Sequence, residues 1–145
     1  SGSAKSYYED GIRASMAFTA DNTPDNVEYN HGMKITSDYI NTYLQGSAVA
    51  FASTTERQIG QIIEQKYLST FFQIPFNAFY EYRRTGYPVL PINPKSNRNN
   101  DTSKMPVRWM YSQDEYDYNT ENVNAAVASQ YGGSDDENQL MWLLK

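Results

Sequence analysis

Residues 81–88, EYRRTGYP, decide the fold, because they mark where a predicted helix ends and an extended segment begins. Gly86 stands where a left-handed residue commonly closes a helix, and Pro88 favours an extended backbone at the residue before it. Arg83 and Arg84 fall in the last helical turn, where positive side chains suit the negative end of the helix dipole. The stretch therefore predicts a helix terminus that fixes the direction of the following chain.

Helical periodicity dominates the sequence before this junction. Residues 4–18 place apolar side chains at four-residue spacing, and residues 59–72 continue an apolar stripe along a longer helix. Thr55 and Gln58 have the spacing of a capping box at the start of that longer helix. Pro75 suits the first turn of the next helix, which leads into the junction. The sequence before the junction is therefore predicted to be largely helical.

Shorter helices and long polar loops complete the predicted pattern. Ser37 and Asp38 are alternative caps for a short helix that ends at Leu44, and Thr120 is placed to cap a final helix that ends at Gly132. The segments without helical spacing are loops at residues 20–34 and 88–105, an extended piece at 107–111 and an apolar terminal anchor at 140–144. We therefore predict a mainly α fold, helical with long irregular loops.

Composition and motifs exclude several classes of function. The chain carries 17 acidic and 12 basic residues, a net charge of −5, which disfavours non-specific binding of nucleic acid. There is no cysteine, and His31 is the single histidine, so the chain has no paired-histidine metal motif. Nucleophile-elbow, phosphate-loop and dinucleotide-binding motifs do not occur. We therefore expect no enzyme chemistry, no catalytic residue, no metal and no cofactor.

A series of short motifs also resembles a known family. The motifs occur in this order: Gln65-Lys66-Tyr67-Leu68, residues 81–88, Pro106-Val107-Arg108, Tyr111, Glu115, Asn119, Asn122, Asn124-Ala125, Gly132-Gly133 and Trp142. Together they resemble the C-terminal part of the SusD/RagB family of Bacteroidetes, from about residue 7 to the end of the chain. The resemblance implies a fold of tetratricopeptide-type helical repeats. It also implies that residues 1–145 are a C-terminal region that packs with the remainder of its own polypeptide.

The same resemblance implies a function and a location. Members of this family are surface-exposed lipoproteins of the outer membrane, so a lipid anchor is expected in a part that precedes these residues. The implied function is polysaccharide utilization: non-enzymatic carbohydrate binding that serves a TonB-dependent, SusC-like transporter. Three alternatives remain open: binding of peptides, a purely structural helical piece without a ligand site, and a glycosidase that uses two of the carboxylates.

Candidate binding residues lie in a polar loop. We expect any ligand contact within residues 21–32, at Tyr29 and His31, although an exposed loop histidine without function is the competing interpretation. Trp109, Tyr111 and Tyr131 could stack on sugar rings, but core or helix packing is the favoured explanation for each of them. No binding residue is implied position by position by the resemblance.

Five residues are predicted to form a structural motif: Arg83, Arg84, Gly86, Pro88 and Arg108. The arginines could instead bind anions, but we favour bonds to backbone carbonyls or pairing with Glu81 and Glu115.

Two acidic clusters have calcium-binding alternatives. Asp117, Asn119 and Glu121 alternate like the start of a calcium loop, but capping by Asn119 or Thr120 is the favoured explanation. Residues 135–137 are three adjacent acids, for which a solvated turn is favoured over a calcium site.

Overall fold

The computed structural model describes residues 3–74 and 76–144. These ranges are mainly helical and contain no β-strand, which confirms the predicted fold class. The chain divides into two compact units, Ser1–Asn77 and Ala78–Lys145. The prediction for Pro75 lies outside the described residues, and the expectation of one C-terminal region within a longer polypeptide stays a prediction.

The first unit contains four helices: α1 Ala4–Asn22, α2 Val27–Asn30, α3 Ser37–Gln45 and α4 Thr55–Thr70. Helix α1 continues beyond its predicted end at residue 18. Helix α2 lies inside the predicted loop 20–34, so that prediction was wrong for this turn. The Asn26 side chain accepts a hydrogen bond from the Glu28 amide at 2.9 Å and starts α2, since it satisfies an otherwise unpaired donor.

Both predicted caps of α3, Ser37 and Asp38, were wrong. Thr36 caps the helix, because its hydroxyl oxygen accepts a hydrogen bond from the Tyr39 amide at 3.2 Å. Ser37 is the first helical residue and Asp38 lies in the first turn, where its charge suits the helix dipole. The helix ends at Gln45, one residue past the predicted Leu44.

The predicted capping box of α4 was also wrong. Thr54 is the capping residue and makes no side-chain capping bond, while Thr55 is already helical. Gln58 does not return to the cap, because its amide nitrogen donates to the Ala52 carbonyl oxygen at 2.8 Å. The start of α4 is therefore held by the loop that precedes it.

The core of the first unit is apolar. Tyr8 and Ile12 of α1 pack in one cluster with Ile40 and Leu44 of α3 and with Val49 of the following loop. None of these side chains is more than 9% exposed, and burial of each contributes about 1.5 to 3 kcal/mol. The Tyr8 hydroxyl donates to the Val49 carbonyl oxygen at 2.8 Å, and burial raises the pKa of Tyr8 to about 12.

One polar side chain is buried more completely than any residue of that cluster. Gln61 of α4 is 2% exposed. Its amide oxygen accepts from the Ala52 amide at 2.9 Å, and its amide nitrogen donates to the carbonyl oxygens of Ala48 at 3.1 Å and Ala50 at 3.0 Å. Gln61 therefore satisfies three backbone groups and holds residues 48–52 against α4.

The predicted apolar stripe of α4 is only partly buried. Ile63 is 5% exposed, but Ile62 is 44% and Leu68 is 55% exposed. The helix ends at Thr70, before the predicted limit at residue 72, and Phe72 is 92% exposed with a φ of 59°.

Helix α5, Asn77–Thr85, begins at the last residue of the first unit and belongs otherwise to the second unit. The second unit also carries α6 Gln113–Tyr118, α7 Thr120–Tyr131 and a 3-10 helix, Trp142–Leu144. The junction after α5 follows its prediction, because Gly86 has a φ of 77° and its amide donates to the Tyr82 carbonyl oxygen at 2.7 Å. The Tyr87–Pro88 peptide bond is cis.

Several details of the second unit differ from expectation. Helix α6 was not predicted. Residues 107–111 lie outside any helix, and the extended piece expected there stays a prediction. Asn119, one of the two predicted alternatives, is the capping residue of α7, although its side chain makes no capping bond, and Thr120 is already helical. The end of α7 at Gly132, with a φ of 67°, was predicted correctly. The expected terminal anchor was wrong, since Trp142 is 72% exposed. Among the described residues, no helix combines the length and apolar character needed to cross a bilayer.

Candidate ligand-binding cavity

A cavity of about 510 Å³ lies in the first unit, where the end of α1, the α2 segment and the start of α3 meet. Its volume falls in the range of small-molecule sites. We call it the Tyr29 cavity. It is lined by Met16, Thr19, Ala20, Thr23, Asp25, Tyr29, Asn30, Met33, Lys34, Ile35, Thr36 and Tyr39. The lining combines apolar, aromatic and hydroxyl-bearing side chains, which suits a ligand with apolar faces and polar edges.

Two tyrosines supply the aromatic part of this lining. Tyr29 of α2 is 59% exposed and Tyr39 of α3 is 40% exposed, so both rings remain accessible. A tyrosine ring offers an apolar face together with a hydroxyl that can donate or accept. The cavity therefore presents two surfaces on which a flat, partly polar ligand could rest.

The two predicted contact residues are separated by the structure. Tyr29 lines the cavity, whereas His31 does not. His31 ends α2 instead, with a φ of 51° and with its amide donating to the Val27 carbonyl oxygen at 3.0 Å. Gly32 follows with a φ of 76°, so these two residues turn the chain from α2 toward α3.

Charges at the cavity are paired with each other. Lys34 Nζ lies 2.7 Å from Asp25 Oδ2, and the Asn30 amide nitrogen donates to Asp25 Oδ1 at 3.3 Å. Both members of the ion pair are well exposed, so the pair contributes little to stability. The pair leaves the wall electrically balanced but rich in hydrogen-bonding groups, which favours a neutral polar ligand.

The second unit contains a polar centre of a different kind. Arg108 is 4% exposed, and its Nη1 lies 2.5 Å from Asp135 Oδ1 and donates to the Asp136 carbonyl oxygen at 3.0 Å. The guanidinium also lies 3.9 Å from the Tyr131 ring centroid, within the range of a cation–π contact. The predicted bond to a backbone carbonyl is present, and the acidic partner of Arg108 is Asp135, which the sequence did not predict.

Asp135 is held by several donors. Its Oδ2 accepts from the Tyr111 amide and from the Tyr116 hydroxyl, each at 2.9 Å. Burial alone raises the pKa of the Asp135 carboxyl, but these hydrogen bonds and the Arg108 charge outweigh burial and lower the pKa below its usual value. The expectation of a solvated turn was therefore wrong at Asp135, whose side chain is only 9% exposed.

The three aromatic residues considered for sugar stacking fall in different environments. Tyr131 is 8% exposed and lies under Arg108, and Tyr111 is half-buried. Trp109 is 64% exposed, with its ring centroid 5.3 Å from that of Phe79. Only Trp109 of these three presents most of its surface to solvent.

The two arginines of α5 differ in exposure, because Arg83 is half-buried and Arg84 is exposed. Arg83 places its guanidinium 5.3 Å from the Phe79 ring centroid and Nη2 2.9 Å from Met141 Sδ. Arg84 pairs with Glu81, as the sequence predicts. Their assignment as a structural motif, together with Gly86, Pro88 and Arg108, stays a prediction.

Two residues of the series with the calcium-binding alternative, Asp117 and Asn119, form hydrogen bonds with helix side chains. Asp117 accepts from the Gln113 side-chain amide at 2.9 Å, and Asn119 donates to Glu115 Oε2 at 2.9 Å. Across residues 3–74 and 76–144, no group of three or more histidine, aspartate or glutamate side chains could hold a metal ion.

Comparison with known proteins identifies the family. A family model described as "SusD-like: Susd and RagB outer membrane lipoprotein" matches residues 1–144. The chain therefore belongs to the SusD-like family, a family of outer membrane lipoproteins, as its motifs predict. No curated protein matches the chain.

Solved structures agree with this assignment. A crystal structure of a SusD homologue from Bacteroides fragilis is 49% identical with a TM-score of 0.81, and the match covers 100% of this chain and 31% of that one. An outer membrane protein from Bacteroides vulgatus, whose description names nutrient binding, is 36% identical with a TM-score of 0.69, covering 99% and 30%. A chitin-binding protein is 27% identical with a TM-score of 0.64, covering 98% and 28%. The chain thus spans about a third of the length of these relatives.

Proposed function

We propose that the protein binds oligosaccharide nutrients at the outer surface of the outer membrane without cleaving them. The match of the SusD-like family model to residues 1–144 is the observation that carries this proposal. The similarity to a chitin-binding protein and to a protein described by nutrient binding supports a glycan as the nutrient. The bound nutrient would pass to a TonB-dependent, SusC-like transporter.

The Tyr29 cavity is the proposed point of contact within these residues. A sugar ring has apolar faces and hydroxyl edges, so the Tyr29 and Tyr39 rings can cover a face while Asp25 and Lys34 bond the edge. The lining charges cancel, so a neutral sugar can form these bonds without leaving a charge unpaired. Binding by preformed contacts requires no group that forms or breaks a bond.

Calorimetric titration of the longest natural polypeptide that contains these 145 residues tests the proposal. The titrants are neutral hexasaccharides of the cello, chito and malto series and peptides of comparable length. We expect saturable binding of at least one hexasaccharide, no binding of the peptides, and no release of new reducing ends. Binding of peptides alone would refute the proposal that the ligand is a glycan. Cleavage of a saccharide that is lost when one carboxylate is replaced would refute the proposal that the protein is not an enzyme.

The transporter is tested separately. The polypeptide, extracted from the outer membrane in mild detergent, is expected to co-purify with a TonB-dependent transporter in a fixed ratio. Identification of the co-purifying protein by mass spectrometry as anything else, or recovery of the polypeptide alone, would contradict the partnership. Neither result depends on which nutrient is bound.

A further inference from the structure

A second cavity of the first unit lies between α1 and α4 and has a volume of about 430 Å³. Its α1 side is formed by Gly11, Ser15 and Thr19, which share one stripe of the helix because they are four residues apart. On the α4 side it is bounded by Ile62 and Leu68, which are 44% and 55% exposed. We call this surface the α1–α4 face. It is largely apolar and open, so a further element can pack on it.

Several polar groups of the α1–α4 face are already engaged within the first unit. The hydroxyls of Thr19 and Ser69 donate to backbone carbonyl oxygens of their own helices, at 3.0 Å and 2.9 Å. The Gln65 amide nitrogen donates to the Tyr43 hydroxyl at 3.0 Å. A saccharide or an extended peptide would bring many polar groups against a wall in which these donors are used, and each buried polar group without a partner costs free energy. The face therefore favours an occupant that satisfies its own polar groups.

Gly11 allows another backbone to approach α1 closely. A Cβ added at Gly11 would meet no heavy atom of the described residues within 4 Å, apart from the neighbouring backbone of its own helix. Glycine inside a helix is less favourable than alanine, so α1 by itself gains nothing from it. A glycine followed by the small Ser15 four residues later leaves a groove that can receive a ridge of side chains from a second helix. This part of the face therefore suits contact with a helix.

The natural polypeptide is long enough to supply that helix. The match to the SusD homologue from Bacteroides fragilis covers 100% of this chain but 31% of that one, so more than two thirds of the homologue lies outside the match. The α1 side of the face runs from Tyr7 to Thr19, which is about 18 Å at about 1.5 Å per helical residue. A helix of about twelve residues covers this length.

We propose that a helix from the part of the natural polypeptide outside residues 1–145 packs along the α1–α4 face. Its apolar side lies against Ile62 and Leu68, and its backbone comes close to Gly11. A helix satisfies its own backbone hydrogen bonds, so it covers an apolar wall without leaving donors unpaired. A segment of the same chain is present at high effective concentration, so this contact needs no second molecule. The inference does not depend on the ligand that the protein binds.

Photo-cross-linking in the longest natural polypeptide that contains these 145 residues tests the inference. The photoreactive residue p-benzoylphenylalanine replaces Leu68, and an equal mixture of isotopically light and heavy protein is irradiated. We expect cross-links from position 68 to a segment outside residues 1–145 that carries the same label, because the covering helix belongs to the same chain. Cross-links between light and heavy chains would assign the face to a second copy. That result, cross-links to another protein, or the absence of cross-links beyond residues 1–145 would overturn the inference.

Substitution of Gly11 gives a second readout that needs no photoreactive probe. Gly11→Ala adds a methyl group between α1 and the proposed helix. We expect it to lower the unfolding temperature of the natural polypeptide by about 2 °C or more, although alanine is the better helix former. Ala17→Gly is the matched control for helix propensity alone, because Ala17 is exposed and lies on the opposite side of α1 from Ser15. An unchanged or raised unfolding temperature in Gly11→Ala would overturn the inference, since alanine stabilises α1 if the face is open.

Discussion

The two units of the chain are stabilised at their centres by opposite kinds of interaction. The first unit buries an apolar cluster that includes Ile12 and Leu44, with Gln61 bonded to three backbone groups beside it. The second unit buries the ion pair of Arg108 and Asp135. Apolar burial depends little on pH, whereas a buried pair requires both of its charges.

This difference also separates structural roles from binding roles. In the first unit, Asp25 and Lys34 line the Tyr29 cavity and remain well exposed. In the second unit, Arg108 and Asp135 turn their charges inward to each other and to backbone groups. An arginine in a motif is therefore informative about function only when its burial is known.

The largest expected effect is the loss of the buried cation. Arg108→Ala leaves the Asp135 carboxylate buried without its cation, and we expect it to destabilise the second unit by about 3 to 5 kcal/mol. Urea titration followed by the methyl signals of Val123 and Val127 measures this change. Lys104→Ala removes the same charge from an exposed pair with Asp101 at 3.0 Å, and should cost at most about 1 kcal/mol. Equal losses of stability in Arg108→Ala and Lys104→Ala would contradict the claim that the buried ion pair stabilises the second unit.

Alkaline pH should affect the first unit through Tyr8. Its pKa is raised from 10.0 to about 12, so the associated stability is complete below pH 10 and is lost as pH rises through about 12. The loss is on the order of 3 kcal/mol, since two pH units of difference correspond to about 1.4 kcal/mol each. The methyl signals of Ile12 and Ile40 report it. Tyr8→Phe should remove this pH dependence, while Tyr118→Phe, at an 89% exposed position, should retain it.

Acid should affect the second unit through Asp135. Because its folded-state pKa lies below the usual value, its contribution is complete above the unfolded pKa near 4 and is lost as pH falls through the lower folded pKa. In urea, the methyl signals of Val123 and Val127 in the folded protein should therefore be weaker at acid pH than at neutral pH. Asp135→Asn should be less stable at neutral pH and show a smaller acid dependence. An unchanged acid dependence in that variant would assign the effect to other carboxylates.

Sequence patterns predicted the long helices better than their caps. Periodicity located α1 and α4, because each carries a repeated apolar spacing. Caps are chosen among adjacent threonine, serine and aspartate residues of similar propensity, so Thr36 could not be distinguished from Ser37 without the backbone. Helix α2 was not predicted, because its four residues are too few to show a helical repeat of apolar positions.

Local sequence patterns could not predict pairs of residues that lie far apart in the chain. Asp135 lies in an acidic, glycine-flanked stretch that reads as solvated, and only the fold brings it to Arg108. The candidate cavity was partly predictable, since Tyr29 stood out as an aromatic residue in a polar loop. The sequence alone could not show that Tyr29 lines the cavity and His31 does not. That difference follows from the fold, in which Tyr29 lies in α2 and His31 ends it.

Oligosaccharide titration of Tyr29→Ala against Tyr118→Ala tests most directly the claim that the first unit carries the ligand contact. Both residues are exposed tyrosines, at 59% and 89%, and they lie in different units. We expect Tyr29→Ala to weaken binding of the hexasaccharide by about ten-fold, equivalent to about 1.4 kcal/mol, and Tyr118→Ala to leave it unchanged. Equal affinities of the two variants, or a larger loss in Tyr118→Ala, would contradict the account.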